Sequence, residues 1–536
     1  MSTKVSQACN ACRVRKVRCS RTQPCTQCAH LNLACTFAPA PAKRKPGVRG
    51  HLVAQLRNKT INHAGSESTA PAGPTTSTAP AVTSIAGILD SGHAATPPPP
   101  RCFEPAPLAA GFSQEFFLSL LPEYEQLVYP VNPVLTPDEM RSAIRNMHVS
   151  YEDAALVHAF GAITLNLTQP SWNLHGNVAS QMTLLVQHSL WAYRKADMGK
   201  DTSADYLLNE MPLTVKRAMV GIWNECSLMA FRRFDRSFAS LREAITMIQM
   251  LNIHRYSENN LCGLTRREVS RQQRMYWEAY IHERFLCVMS GYPCTMIPLR
   301  TGLPITDPDV PPHVTVGFNR LIRLFQIMDA PLLAHWAAQD MPDAPTITAE
   351  WIEHKQAQLD ADEAETAEAA RDLAASGAGT LSEEQHVDLF VTRLWLRTLV
   401  WQLALSHGLL RSAPPRDAHE GFSLHFPAQR LSAQLRGLVS RLRHTSSIIT
   451  HGSGILQKLF EITSTVADVL ALPRGPGQTQ EEARARVEDF LFLVRFIFSF
   501  ERTQKHHREY LLDKLNTLRE MYTVVDFGTL GRTSEG

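Results

Sequence analysis

The sequence predicts a small cysteine-organised module of two short pseudo-symmetric helices, then a disordered linker, then a large all-α body. Three observations predict it. Six of the eleven cysteines fall between Cys9 and Cys35 in a spacing that occurs twice. Residues 64 to 101 are Ala, Gly, Ser, Thr or Pro at 30 of 38 positions and end in Pro97 to Pro100, too little apolar surface to offset the entropy of ordering. From Phe112 onward, apolar residues recur at helical spacing in segment after segment, and alternating β patterns are scarce.

The chain has 536 residues, 44% apolar and 20% charged, enough for more than one independent unit. Its formal charge is only +3. That sum hides an asymmetry: residues 1 to 60 hold 12 Lys and Arg and no Asp or Glu, leaving 42 basic against 51 acidic residues beyond. A +12 head joined to a −9 body points to a basic arm that meets a polyanion. Met1-Ser2-Thr3-Lys4 runs into the cysteines without an apolar stretch. An oxidising compartment is therefore not expected, and metal binding outranks disulfides. The most apolar late stretch, Phe490 to Phe500, is short and interrupted by Arg495, so no membrane partner is expected.

The cysteine spacing is Cys9-x2-Cys12-x6-Cys19-x5-Cys25-x2-Cys28-x6-Cys35, two copies of C-x2-C-x6-C around a loop containing Pro24. A C-x2-C step brings two thiolates to one metal from a single turn, and the third cysteine returns after a short helix. Two tetrahedral zinc ions need eight ligand positions, and six thiolates fill them only if two sulfurs serve both ions. Pseudo-symmetry assigns that bridging role to the equivalent first cysteines, Cys9 and Cys25. Two Zn²⁺ on six thiolates carry formal charge −2, so the metallated head stays near +10.

Between Cys12 and Cys19 stand Arg13, Val14, Arg15, Lys16, Val17 and Arg18. Four of the six are cationic, none has an acidic neighbour, and the two apolar ones lie three apart. A short helix with one anchoring edge and a face for phosphates and base edges fits this pattern.

The stretch resembles the fungal binuclear zinc-cluster DNA-binding domain of the galactose-regulator type. That resemblance implies two Zn²⁺ held by Cys9, Cys12, Cys19, Cys25, Cys28 and Cys35, and double-stranded DNA with CGG-containing sites as the partner. It places the first helix in the major groove, with Lys16 at the base-contacting position and Arg13, Arg15 and Arg18 at backbone-contacting or supporting ones. Arg15 could also reach a base, because arginine pairs bidentately with guanine. It further implies a nuclear location, co-regulators or the transcription machinery as partners, and regulation of transcription by RNA polymerase II.

Lys43-Arg44-Lys45-Pro46 looks like the basic tail that follows many such clusters, a source of nuclear-import signal, phosphate contacts or both. A homodimer is an expectation without a visible element to hold it: Leu52, Leu56 and Ile61 give one weak pair of turns, short of the ~3 heptads a coiled coil needs. The reading divides the chain into residues 1 to 38 as the cluster domain, 39 to 105 as a basic then Pro/Ser/Thr/Ala-rich linker, and 106 to 536 as the all-α regulatory domain.

In the body, Val215, Met219, Ile222, Cys226 and Met229 repeat at alternating steps of four and three, and Trp277, Ile281, Phe285 and Val288 at four, four and three. Phe390, Leu394, Trp401 and Leu405 form a third such face, and prolines from Pro130 to Pro312 mark breaks. Arg271 to Arg284, followed by Gly291-Tyr292-Pro293 and the Pro-rich Leu303 to Pro312, resembles the fungal-specific transcription factor domain, or middle homology region. Glu283 and Tyr292 depart from its commoner Asp and Arg. Leu241 to Arg255 resembles its upstream helix, and the likeness is clearest over residues 112 to 320. Residues 356 to 386, rich in Ala, Asp and Glu and broken by Gly377 and Gly379, read as a solvated helix or mobile insert.

No G-x-S-x-G, Walker A, G-x-G-x-x-G or H-E-x-x-H pattern is present, so catalysis is not expected. His451-Gly452-Ser453-Gly454 reads as a helix start or loop. Cys226 and Cys287, on apolar helical faces, read as inert thiols. The expected function is a zinc-dependent, sequence-specific transcription factor controlling a fungal secondary-metabolite gene cluster. Nutrient utilisation is the second reading, and a small-molecule sensor or enzyme with an accessory zinc cluster the third.

Overall fold

The computed structural model describes residues 9–14, 19–20, 22–30, 34–37, 112–169, 176–198, 211–339, 346–444, 446–472, 478–522 and 525. The expected linker from 39 to 105, with Lys43, Arg44 and Lys45, lies outside them, as do Arg15, Lys16 and Arg18. Among the described residues the body is helical, without a β-strand. Two isolated bridges, Ser257 with Asn260 and Arg411 with Ser423, are the β pairing found there.

The N-terminal module has the two short helices that its duplicated spacing predicts, Asn10–Val14 and Thr26–His30, five residues each. Neither could persist alone at this length. Each begins immediately after the first cysteine of its repeat, so the fold here is organised by sulfur.

The body's helices start where side chains satisfy the orphan N–H groups. Reciprocal capping boxes pair Thr136 with Glu139, Thr265 with Glu268, Ser382 with Gln385 and Thr479 with Glu482, each contributing about 1 kcal/mol. The Tyr151–Thr168 helix is buried on every side from Asp153 to Asn166, and it packs against the Asn177–Met198 and Val215–Ala230 helices. A helix apolar all round belongs in the centre of a large core. Gly221 lets the Val215–Ala230 and Phe234–Met250 helices close on each other: a Cβ there would sit 2.8 Å from Ala244 Cβ.

The helix Arg266–Ser290 carries Trp277, Ile281, Phe285 and Val288 into the core, as their period predicts. It ends at Gly291, whose φ of +69° is the left-handed conformation of a helix C-terminus. The same helix straps down the Pro-rich segment that follows. Glu283, fully buried, accepts from the Thr295 and Met296 N–H groups at 2.9 and 2.8 Å and from Arg242 Nη1 at 2.7 Å. Arg284 Nη2 donates to Met296 O at 3.3 Å, Tyr276 OH to Ile297 O at 2.7 Å and Trp277 Nε1 to Gly302 O at 3.2 Å. The motif residues singled out above are thus the anchors of an extended, proline-broken strap.

Of the two readings of the acidic, alanine-rich stretch, the helix holds and the mobile insert does not: Ala349–Ala375 is a 27-residue helix, solvated along one side but with Ile352, Leu359 and Leu373 buried. Its Asp362 is buried as well, accepting from Arg393 Nε at 2.9 Å and Arg320 Nη2 at 2.5 Å. Buried ionic partners on neighbouring helices satisfy a face that reads as polar in isolation. Gly377 and Gly379 do end the element, at φ of +70° and +104°.

Candidate metal centre and nucleic-acid interface

The six N-terminal cysteines form no disulfide and are brought to one point. Cys9, Cys12, Cys25 and Cys28 are buried, and Cys19 and Cys35 half-buried. Cys9 Sγ lies 3.7 Å from Cys25 Sγ and 3.6 Å from Cys28 Sγ, and Cys12 Sγ lies 3.5 Å from Cys25 Sγ. Four sulfurs at about 2.3 Å around a tetrahedral zinc stand about 3.8 Å apart, so these edges have the length a metal imposes. Two groups of four form, with all sulfurs in each within 4.8 Å: Cys9, Cys12, Cys19 and Cys25 in one, Cys9, Cys25, Cys28 and Cys35 in the other.

The backbone repeats itself with an offset of 16 residues. Cys12 N–H donates to Cys9 Sγ at 3.4 Å, and Cys28 N–H to Cys25 Sγ at 3.4 Å. Cys9 N–H donates to Cys19 Sγ at 3.4 Å, and Cys25 N–H to Cys35 Sγ at 3.2 Å. Amide N–H groups aimed at sulfur favour the thiolate form that ligates a metal. The donor set, the edges and the two groups of four all fit two zinc ions.

Arg13 lies within the first of the two short helices. The structure describes none of the side chains proposed to touch DNA.

The body holds polar groups that sequence reasoning passed over. A cavity of about 140 Å³ is lined by apolar Ile163, Ile281, Phe285 and Phe325 and by charged or polar Glu278, His282, Asp388, His451 and Lys458. Lys458 Nζ donates to Thr392 Oγ1 at 2.7 Å and lies 5.6 to 5.7 Å from the rings of Phe285, Phe325 and Trp395. Burial pulls its ammonium below the usual lysine range, against the opposing pull of Asp388. His451-Gly452-Ser453-Gly454 opens the helix Gly452–Leu470, as the sequence predicts, and also lines the cavity. Cys226 is not an isolated thiol: its Sγ lies 3.3 Å from Glu225 Oε2 and 3.6 Å from His282 Nδ1. Glu225 and Cys226 stand on one helix and His282 on another, 56 residues away, so no local spacing announces the group.

The sequence model of the fungal Zn(2)-Cys(6) binuclear cluster domain matches residues 7–45. Residues 7–45 are a fungal binuclear zinc-cluster domain, and it binds two zinc ions. Over 530 residues the chain is 22% identical to the maltose fermentation regulatory protein MAL13 of Saccharomyces cerevisiae, covering 96% of this chain and 93% of that one. It is 44% identical over 54 residues to the lactose regulatory protein LAC9 of Kluyveromyces lactis, 10% of this chain and 6% of that protein. It is 28% identical over 133 residues to the respiratory transcription factor ZNF1 of Saccharomyces cerevisiae, a quarter of each chain. The zinc-cluster domain and these relatives indicate a transcription factor and not an enzyme.

Proposed function

We propose that this protein is a nuclear, sequence-specific DNA-binding regulator of RNA polymerase II transcription, assembled around two zinc ions bridged by Cys9 and Cys25. The observation that carries the reading is the pair of four-sulfur groups that share those two cysteines, set in a segment with 12 cationic and no acidic residues. Metal fixes the first helix, and the cations beside it meet a CGG-type half-site: Lys16 at base edges, Arg13, Arg15 and Arg18 mainly on phosphates. Lys43, Arg44 and Lys45 add phosphate contacts or a nuclear-import signal. Residues 1 to 38 are the reader, 39 to 105 the tether, and 106 to 536 a fungal-specific transcription factor domain that meets co-regulators. Homodimerisation would set the spacing of half-sites.

For the genes controlled, a secondary-metabolite cluster is the first reading. Carbon-source utilisation is the second, supported by the end-to-end alignment with a maltose fermentation regulator. Genome-wide mapping of bound sites, with a Cys9→Ser chain as the control, tests both. CGG-containing sites lost in the control support the function. Their position beside clustered biosynthetic genes or beside sugar-uptake genes decides the pathway, and sites unchanged in the control would overturn the role of zinc.

A further inference from the structure

We propose that Glu225, Cys226 and His282 form a third, mononuclear site for a divalent transition-metal ion of the zinc class, separate from the N-terminal cluster, with its remaining coordination position facing the cavity in the body.

The donor types are those zinc takes: one thiolate, one imidazole and one carboxylate. The spacing matches as well. Bonds of about 2.3 Å to sulfur and 2.0 Å to nitrogen or oxygen at a tetrahedral centre put sulfur about 3.5 Å from each of the other donors. Cys226 Sγ stands 3.6 Å from His282 Nδ1 and 3.3 Å from Glu225 Oε2. The third edge, Nδ1 to Oε2, is 2.7 Å. It must open by about half an ångström, which a rotation of the carboxylate supplies.

The outer partners are those that orient metal ligands. His282 Nε2 meets Glu278 Oε1 at 3.1 Å, leaving Nδ1 to face the other two donors. Glu278 is held in turn by Asn132 Nδ2 at 2.6 Å. Glu225 is fully buried, and its second oxygen accepts from Ser237 Oγ at 3.2 Å. A carboxylate behind a ligating histidine fixes ring and tautomer and raises its basicity as a ligand.

An ion that displaces the thiol proton meets the Glu225 carboxylate and the Cys226 thiolate, two negative charges for its two positive ones, so the dication is not buried unpaired. Cys226 and His282 line the cavity while Glu225 does not, so the open side of a three-ligand ion is turned inward. Water or one oxygen or nitrogen of a small molecule completes the sphere, as in zinc sites with three protein ligands. At about 140 Å³ the cavity has the size of one that holds a benzene-sized molecule.

The test is zinc content of the full chain, prepared with zinc and freed of loose metal, by elemental analysis against amino-acid quantitation. Wild type is expected to hold three ions per chain, and Cys226→Ser and His282→Gln two each. Two ions in the wild type overturn the proposal, and so do three in both variants. Cobalt substitution gives a readout independent of variant folding. The third equivalent added to the wild-type chain, with the cluster already filled, must bring a further thiolate-to-cobalt charge-transfer band, and its absence rejects the site. Because the count separates this ion from the cluster's two, failure here leaves the DNA-binding reading standing, and the reverse holds.

Discussion

Cys9 Sγ and Cys25 Sγ lie 3.7 Å apart and are the two sulfurs common to both four-sulfur groups. If both serve two ions, as proposed, the two halves are one object, because neither zinc keeps a full tetrahedron once a shared sulfur is lost. Cys9→Ser is expected to cost both cluster ions, whereas Cys19→Ser leaves the Cys9, Cys25, Cys28 and Cys35 group whole and costs one. Native mass spectrometry of zinc lost per chain reads the difference. Equal losses from the two variants would contradict the bridging assignment.

A substitution at Lys16 tests the base contact proposed for it. Lys16→Ala is expected to weaken binding to a CGG duplex by about tenfold or more, while a scrambled duplex loses about threefold, the share of one phosphate-range charge. Competition binding at fixed salt gives both numbers. Equal losses on the two duplexes would place Lys16 on the backbone.

Glu283 holds Arg242 and two backbone N–H groups from a fully buried position. Glu283→Ala leaves the two N–H groups without an acceptor, takes from Arg242 its carboxylate partner, and is expected to destabilise the body by about 3–5 kcal/mol. Glu283→Gln keeps one carbonyl acceptor and should lose less. Urea unfolding followed by circular dichroism ranks the three proteins.

His158 is buried among Phe112, Phe117 and His188 and is pulled down to about 4 by loss of water around the ring. Its folded pKa lies below its unfolded value of about 6.5, so the unfolded chain binds the extra proton first. Stability from this group is therefore complete above about pH 6.5 and falls as pH drops toward 4, by about 2 kcal/mol at pH 5. His158→Phe should remove that slope, measured as the difference in unfolding free energy between pH 7 and pH 5.

The zinc module was legible because its ligands are consecutive: spacing, charge and duplication all lie within residues 9 to 35. The body's helices were legible from faces such as Trp277, Ile281, Phe285 and Val288, where burial follows a single period. For Ala349–Ala375 a helix was legible and its buried face was not. Its buried Asp362 gains its partners from Arg320 and Arg393 on other helices, and a hydropathy pattern scores a buried carboxylate as solvent-facing. Cys226 and His282 escaped for a related reason, since their juxtaposition is a product of packing between helices and not of spacing. Lys16, by contrast, was singled out by residues and resemblance alone, and it lies outside the described residues.

Zinc-dependent recognition of a DNA sequence is tested most directly by a fluorescence-anisotropy titration of the full chain on labelled duplexes. The zinc-loaded protein should bind a CGG-containing duplex about 10³-fold or more tightly than a scrambled one at physiological salt. Chelation should abolish that preference, and added zinc should restore it. Equal affinity for the two duplexes, or a preference that survives complete removal of zinc, would contradict the account.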